Sequence, residues 1–398
     1  MPDDRVNTNA PRDRSVRNDS LPYLPFARPA LDDDTIAAVV KVLKSGWITT
    51  GPRTAEFEAA LSRYFAGRVV KTFTSATAAL EVALHIARIG PRDEVITTAM
   101  SFAATANVIL RVGARPVFVD AELGSRNMDF DKVEAAITNR TRAIMPVHFA
   151  GRPVDMDRLY AIARQRGLRV IEDAAHAMGA SWRGQRIGAM GDLVVFSFHP
   201  NKNMTTIEGG ALVLDDPDEA RNADLHRFHG IRRTPEGDID IEMPGGKYNF
   251  SDVSAVIGLA QLAQLDVFNA RRRELAALYF AHLHTAPALL LPEGNDDGHA
   301  WHIFTPLLPL ERMSITRVEF IRRMHQRGIG VGVHYPAIHE LSLYRDLGYG
   351  ERSYPNAERI GRGTVTLPLF PGMADADVER VCRATAEVLA EANVRAHA

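Results

Sequence analysis

The chain has 398 residues, 46% of them hydrophobic and 24% charged, with a formal net charge of -2. That length exceeds one small core and suits two fused domains, and the near-neutral charge gives no general attraction to nucleic acid or acidic membrane. A single cysteine, Cys382, excludes an intrachain disulfide framework and any multi-cysteine metal site.

Residues 1–20 are polar, mix arginine with aspartate and lack the apolar run of a signal peptide, so they are expected to form a flexible tail on a cytoplasmic protein. No stretch approaches the roughly 20 apolar residues of a membrane span. From residue 69 to 214, β-branched runs at 69–74, 94–98, 115–120, 143–148, 168–173, 192–198 and 211–214 alternate with helical patterns at 76–87, 105–111, 131–137 and 155–166. This alternation predicts an α/β fold, a mostly parallel sheet with helices on both faces. A long helical region over 252–284, broken near Asn269, follows. Within it Arg271-Arg272-Arg273 reads as a solvated helix face.

Beyond it, strands at 301–308 and 331–335 and helices at 317–327 and 375–392 predict a smaller α+β domain. Cys382 is expected there as a buried structural thiol. The division is then a tail over 1–20, a large cofactor-binding α/β domain with its linking helices over 21–284, and a small C-terminal α+β domain over 285–398. No repeat or low-complexity block interrupts it.

A parallel sheet places its ligand outside the carboxyl ends of the strands, so the polar residues there are the ones to weigh. The first group is Thr74-Ser75-Ala76-Thr77-Ala78-Ala79-Leu80, after a strand and opening a helix. Free amides at a helix start bind phosphate, and small residues let the anion approach. A plain N-cap by Ser75 or Thr77 explains this segment equally well on its own. The second group is Val170-Ile171-Glu172-Asp173-Ala174-Ala175-His176. A carboxylate that deep is costly without a positive partner. A protonated pyridine nitrogen supplies one, in a charge-assisted bond worth about 1.5–3 kcal/mol. Ala174 and Ala175 leave room for a flat ring, and His176 could bond its phenolic oxygen. The plainer alternative is Asp173 capping a following helix.

The third group runs from Phe196-Ser197-Phe198-His199-Pro200-Asn201-Lys202 to Gly209-Gly210. A lysine that attacks a carbonyl must be neutral part of the time, hence partly buried. The glycine pair marks close backbone approach. An isolated loop lysine is ordinarily a solvated charge; the acid and the anion loop on earlier strands favour the catalytic reading.

Together these groups resemble the DegT/StrS-type sugar aminotransferases, which depend on pyridoxal phosphate (PLP) and have fold-type I. The likeness also includes Ser45-Gly46-Trp47-Ile48-Thr49-Thr50-Gly51-Pro52, Lys247-Tyr248-Asn249, His334-Tyr335-Pro336 and Leu367-Pro368-Leu369-Phe370-Pro371. Leu24-Pro25-Phe26-Ala27-Arg28-Pro29-Ala30, Ala300-Trp301-His302-Ile303-Phe304 and Gly328-Ile329-Gly330 are most similar to members that make UDP-4-amino-4-deoxy-L-arabinose for lipid A, although Phe102 stands where those carry tryptophan.

The resemblance implies that Lys202 holds the cofactor and is catalytic, and that Asp173 pairs with the pyridine nitrogen. It implies that His176 binds the ring oxygen, that Ala76, Thr77 and Ser197 hold the phosphate, and that Phe102 stacks on the ring. Asn249 would reach the phosphate of a neighbouring subunit's cofactor, giving a homodimer with shared active sites, and His334 and Tyr335 would border the sugar. No metal is implied. The implied reaction moves an amino group from L-glutamate to a nucleotide-activated 4-keto sugar, leaving 2-oxoglutarate. UDP-4-keto-pentose is the first choice; UDP-4-keto-6-deoxy-N-acetylhexosamine and GDP-4-keto-6-deoxymannose are alternatives. A rival of another class is a non-catalytic regulatory protein on the same fold. Sugar dehydratases of this fold carry histidine at the lysine position, and desulfurases need a mobile cysteine, which Cys382 is not.

Overall fold

The computed structural model describes residues 22–284, 289–294 and 298–392. The tail expected over 1–20 lies outside them. Twelve helices are described: α1 (Asp33–Ser45), α2 (Pro52–Tyr64), α3 (Ala76–Ile86), α4 (Ala103–Arg111), α5 (Phe130–Ala136), α6 (Met156–Arg166), α7 (Pro217–Arg227), α8 (Asp252–Leu283), α9 (Arg317–Gln326), α10 (Ser342–Asp346), α11 (Pro355–Gly363) and α12 (Asp375–Glu391). The seven strands of the main sheet, in chain order, are β1 (Val69–Phe73), β2 (Glu94–Thr98), β3 (Arg115–Val119), β4 (Thr141–Met145), β5 (Arg169–Asp173), β6 (Leu193–Ser197) and β7 (Gly210–Leu214).

Across the sheet the order is β1-β7-β6-β5-β4-β2-β3. β2, β3, β4, β5 and β6 pair in parallel, while β7 runs antiparallel to both of its neighbours, β6 and β1. The reason is the connection. β6 returns to β7 without a helix, and a parallel return needs a long crossover. The strands are buried on both faces, as in Glu94–Thr98, Leu193–Ser197 and Gly210–Leu214. One hydrophobic cluster joins Phe57, Phe196, Phe198 and Phe250, and another joins Leu80, Leu84, Val108 and Leu212. A further cluster of Tyr279, Trp301, Phe304, Phe320, Val378 and Val381 packs the second half of α8 against α9 and α12, and Leu24 joins it from the start of the chain.

Several expectations need correction. α8 is continuous through Asn269. That residue is buried, its amide donating to Met178 O at 3.0 Å and its Oδ1 accepting from Asn203 at 2.7 Å, so tertiary partners replace the local bonds that make asparagine a helix breaker. α8 is also long enough to cross a membrane and contains an 18-residue window of mean hydropathy 1.3, yet it buries Asp252, Gln261, Asn269 and Arg272 inside the protein. Arg272 is therefore not on a solvated face: its Nη1 donates to the carbonyls of Trp301, His302 and Leu369. Regions 301–308 and 331–335 are extended but form isolated bridges rather than strands, Phe304 with Leu367, Leu307 with Thr364 and Gly332 with Thr366. Pro306, Pro309 and Pro336 supply no N–H for a ladder there. Cys382 is buried in α12, and burial pushes its thiol up to about 12.

Candidate active site

β1 ends at Phe73, and Ser75 caps α3 by accepting the Ala78 amide at 3.1 Å. The cap uses Ser75 and leaves the α3 start open: the amides of Ala76 and Thr77 precede any carbonyl that the helix could offer them. Gly210, opening β7, lies against this turn. A Cβ on it would sit 2.4 Å from Ala76 N, so only glycine lets the lysine-bearing return strand pass the helix start. Gly210→Ala is expected to displace that turn and weaken PLP binding about tenfold, measured by titrating apoprotein. Unchanged affinity would remove the α3 start from the phosphate role.

β5 delivers Asp173, which is 5% exposed. Thr105 Oγ1 donates to its Oδ2 at 2.8 Å and the Ala175 amide to its Oδ1 at 3.2 Å. No helix follows Asp173, so the capping alternative falls away. Burial raises its carboxyl above the usual range, opposed by these two bonds and by the Lys202 charge. A group so placed calls for a further positive partner.

Lys202 sits in the return between β6 and β7. Phe198 N–H donates to Gly209 O and Thr206 N–H to Phe198 O, each at 2.9 Å, and Lys202 N–H donates to His199 O at 2.8 Å. The next residue, Asn203, is buried and donates to Asn269 Oδ1 and Ala300 O at 2.7 Å each, anchoring the loop to α8. Burial lowers the Lys202 amine to about 8, against an upward pull from Asp173. At neutral pH a useful fraction is therefore the free base.

His176, also buried, accepts the Ala150 amide at Nδ1 (3.2 Å), which leaves its proton on Nε2, 3.2 Å from the Tyr335 hydroxyl. Burial, with Lys202 and His334 nearby, holds it well below the ordinary histidine range. His334 is pulled down to about 4, and its Nδ1 lies 2.7 Å from Thr366 Oγ1. The Phe102 ring, 57% exposed at the start of α4, is 5.5 Å from that of Tyr335.

One cavity of about 340 Å³ brings these groups together. Ala76, Thr77, Phe102, Asp173, His176, Ser197, Lys202, His334 and Tyr335 all line it. Asn249 does not: it lines a separate cavity with Thr50, Arg227 and Lys247, where its amide donates to Thr50 Oγ1 at 2.6 Å. A larger hollow of about 650 Å³ beside Leu289, Leu308 and Arg359 holds none of the expected site residues. Thr105 and Asn203 went unrecognised in the sequence. The only hint of Thr105 is its place in the first turn of the helix that follows β2, and Asn203 has none beyond adjacency to Lys202.

The residues fit a flat, phosphorylated pyridine. The open helix start suits a phosphate, the underpaired buried acid suits a ring N–H, the neutral histidine offers Nε2–H to a ring oxygen, and the lowered lysine suits a carbonyl.

Comparison with known proteins agrees. The profile of the DegT/DnrJ/EryC1/StrS aminotransferase family matches residues 29–386. The uncharacterized protein MJ1066 of Methanocaldococcus jannaschii is 39% identical over 379 residues, 93% of this chain and 98% of that one. Two solved structures are similar throughout. The PLP form of Spr1654 from Streptococcus pneumoniae has a TM-score of 0.87 at 32% identity, over 93% of this chain and 99% of that one. The sugar aminotransferase CalS13 from Micromonospora echinospora has a TM-score of 0.83 at 31% identity, over 92% and 99%.

Proposed function

This chain belongs to the DegT/DnrJ/EryC1/StrS aminotransferase family and is a PLP-dependent sugar aminotransferase; from that premise we propose that it carries nitrogen from L-glutamate to the C4 keto group of a nucleotide-linked sugar, with UDP-4-keto-pentose as the first candidate. The observation that carries the reading is the meeting of Lys202, Asp173 and the α3 start around one cavity.

When bound, PLP supplies an electron sink for the charge left as the glutamate α-proton departs. Lys202 would hold the cofactor, and its Nζ would take the glutamate α-proton and pass it to the cofactor, with the reverse transfer serving the sugar. Help of this kind is generally worth about 10²–10⁴-fold. Asp173 keeps the ring nitrogen protonated by facing it with a buried negative charge. The amides of Ala76 and Thr77, with the hydroxyls of Thr77 and Ser197, hold the phosphate. His176 would donate Nε2–H to the ring oxygen, and Phe102 would cover the ring.

His334 and Tyr335 line the same cavity, and in this proposal they border the sugar, where a neutral imidazole and a hydroxyl suit an uncharged polyol. Asn249 lines a separate cavity although its backbone is bridged to Phe73, just before the α3 start; in this proposal it serves the phosphate of a neighbouring subunit's cofactor, as the family resemblance implies. The proposal includes a cytoplasmic homodimer with shared active sites.

The test is a panel of nucleotide keto-sugars offered with glutamate, read by mass spectrometry of the products. The expected result is an amino sugar from UDP-4-keto-pentose. Amination of UDP-4-keto-6-deoxy-N-acetylhexosamine or GDP-4-keto-6-deoxymannose alone would reassign the substrate, and amination of none would sink the proposal.

A further inference from the structure

Immediately before Asp173 on β5 stands Glu172, fully buried, its side chain directed to the opposite face of the sheet. Its Oε2 lies 2.9 Å from Nε2 of His148, itself fully buried, and its Oε1 accepts the Tyr160 hydroxyl at 2.6 Å. The proton positions follow from the outer partners. Val154 N–H donates to His148 Nδ1 at 3.1 Å, so the ring proton sits on Nε2 and points at Glu172. Tyr160 Oη accepts the Asp192 amide at 2.7 Å, which turns its own proton toward Glu172. A single arrangement satisfies every partner: neutral His148 and a Glu172 carboxylate that accepts twice.

Polar groups buried this way add little to stability, because apolar side chains of similar size generally hold a core as well or better. Their distinctive contribution is geometric. Asp173 is held in the sheet by two backbone bonds, its N–H donating to Pro146 O at 2.9 Å and its carbonyl accepting His148 N–H at 3.2 Å. The His148–Glu172 side-chain bond ties the same two chain segments together on the far face. No mechanistic role described above uses either residue.

We infer that His148 and Glu172 are positioning residues that fix the end of β5, and with it the place where the Asp173 carboxylate meets the cofactor's ring nitrogen. The inference rests on the reading of Asp173 given under the proposed function.

The test uses holoenzyme carrying Glu172→Gln, the double change His148→Leu with Glu172→Leu, His148→Gln, or the remote core change Val381→Ala. Glu172→Gln brings an amide donor against His148 Nε2–H or loses the Tyr160 bond. The double leucine change removes both partners of the central bond but also takes the acceptors from the Tyr160 hydroxyl and the Val154 amide, so it is read where Tm shows it folded, and Glu172→Gln is judged by the same criterion otherwise. His148→Gln can still donate to Glu172. The readouts are PLP affinity, the pH midpoint of the bound cofactor's visible band, and kcat against KM. Glu172→Gln and the double variant are expected to shift the midpoint and lower kcat by about 10–10²-fold with little change in KM, as a small misplacement at a reacting centre does. His148→Gln restores behaviour close to the unaltered protein, and Val381→Ala lowers Tm alone. A double variant with the midpoint, affinity and kcat of Val381→Ala would overturn the inference. Asp173→Asn, run alongside, separates the two levels. If it leaves the band unmoved, the reading of Asp173 fails and takes the inference with it; if it alone moves the band, only the inference fails.

Discussion

Replacing Lys202 by alanine abolishes amino transfer, by at least the 10²–10⁴-fold that a positioned proton carrier typically contributes, while the protein stays folded. The fold should survive because the loop is held by other atoms: Lys202 contributes only its backbone N–H, to His199 O, and the anchoring side chain is Asn203. The variant still binds PLP through the α3 start and Asp173 but lacks the visible band of lysine-bound cofactor. Absorbance, Tm and product formation on one preparation check all three. Turnover at the original rate would remove Lys202 from its role.

Asp173→Asn has the second largest effect. Asparagine keeps an acceptor for the Ala175 amide and offers N–H to Thr105 Oγ1, so both ties persist in altered form. What is lost is the negative charge facing the ring nitrogen, and kcat is expected to fall by about 10–10²-fold, the loss of one charge-assisted bond. A second readout has a definite sign. Asp173 pulls the Lys202 amine upward against burial, which sets it at about 8. Without that charge the amine loses its proton at lower pH. In apoprotein, labelling of Lys202 by an amine reagent should rise through pH about 8, and in the variant it should begin to rise earlier. Identical labelling profiles would mean that the two groups do not sense each other.

The site was legible because its parts stand at strand ends. Thr74–Thr77, Asp173 and Lys202 each follow a run of apolar β-formers, and a sheet brings such ends together however far apart they lie in the chain. The supporting residues carried no such mark. Arg272 looks like its neighbours Arg271 and Arg273, and only the carbonyls of residues 301, 302 and 369 make it a core residue. Asn269 reads as a helix breaker because its partners, Met178 and Asn203, lie far off in sequence. α1, α2, α7, α10 and α11 fall outside the expected elements; α1, α2 and α7 each begin with the aspartate or proline signals of a helix start, and the apolar pattern of α7 is too thin to announce it. The antiparallel direction of β7 is a matter of connection and cannot be read from strand composition.

That reversed strand sets a dimension. Ser197 and Gly210 are paired across the sheet, and everything between them, the lysine included, is a closed span of chain pinned at both feet. Residues at the rim can be exchanged or lengthened to suit another sugar without altering that span. One residue inserted between 198 and 209 would change how far the amine reaches from the α3 start, so divergence in this enzyme has free play around the arch and almost none within it.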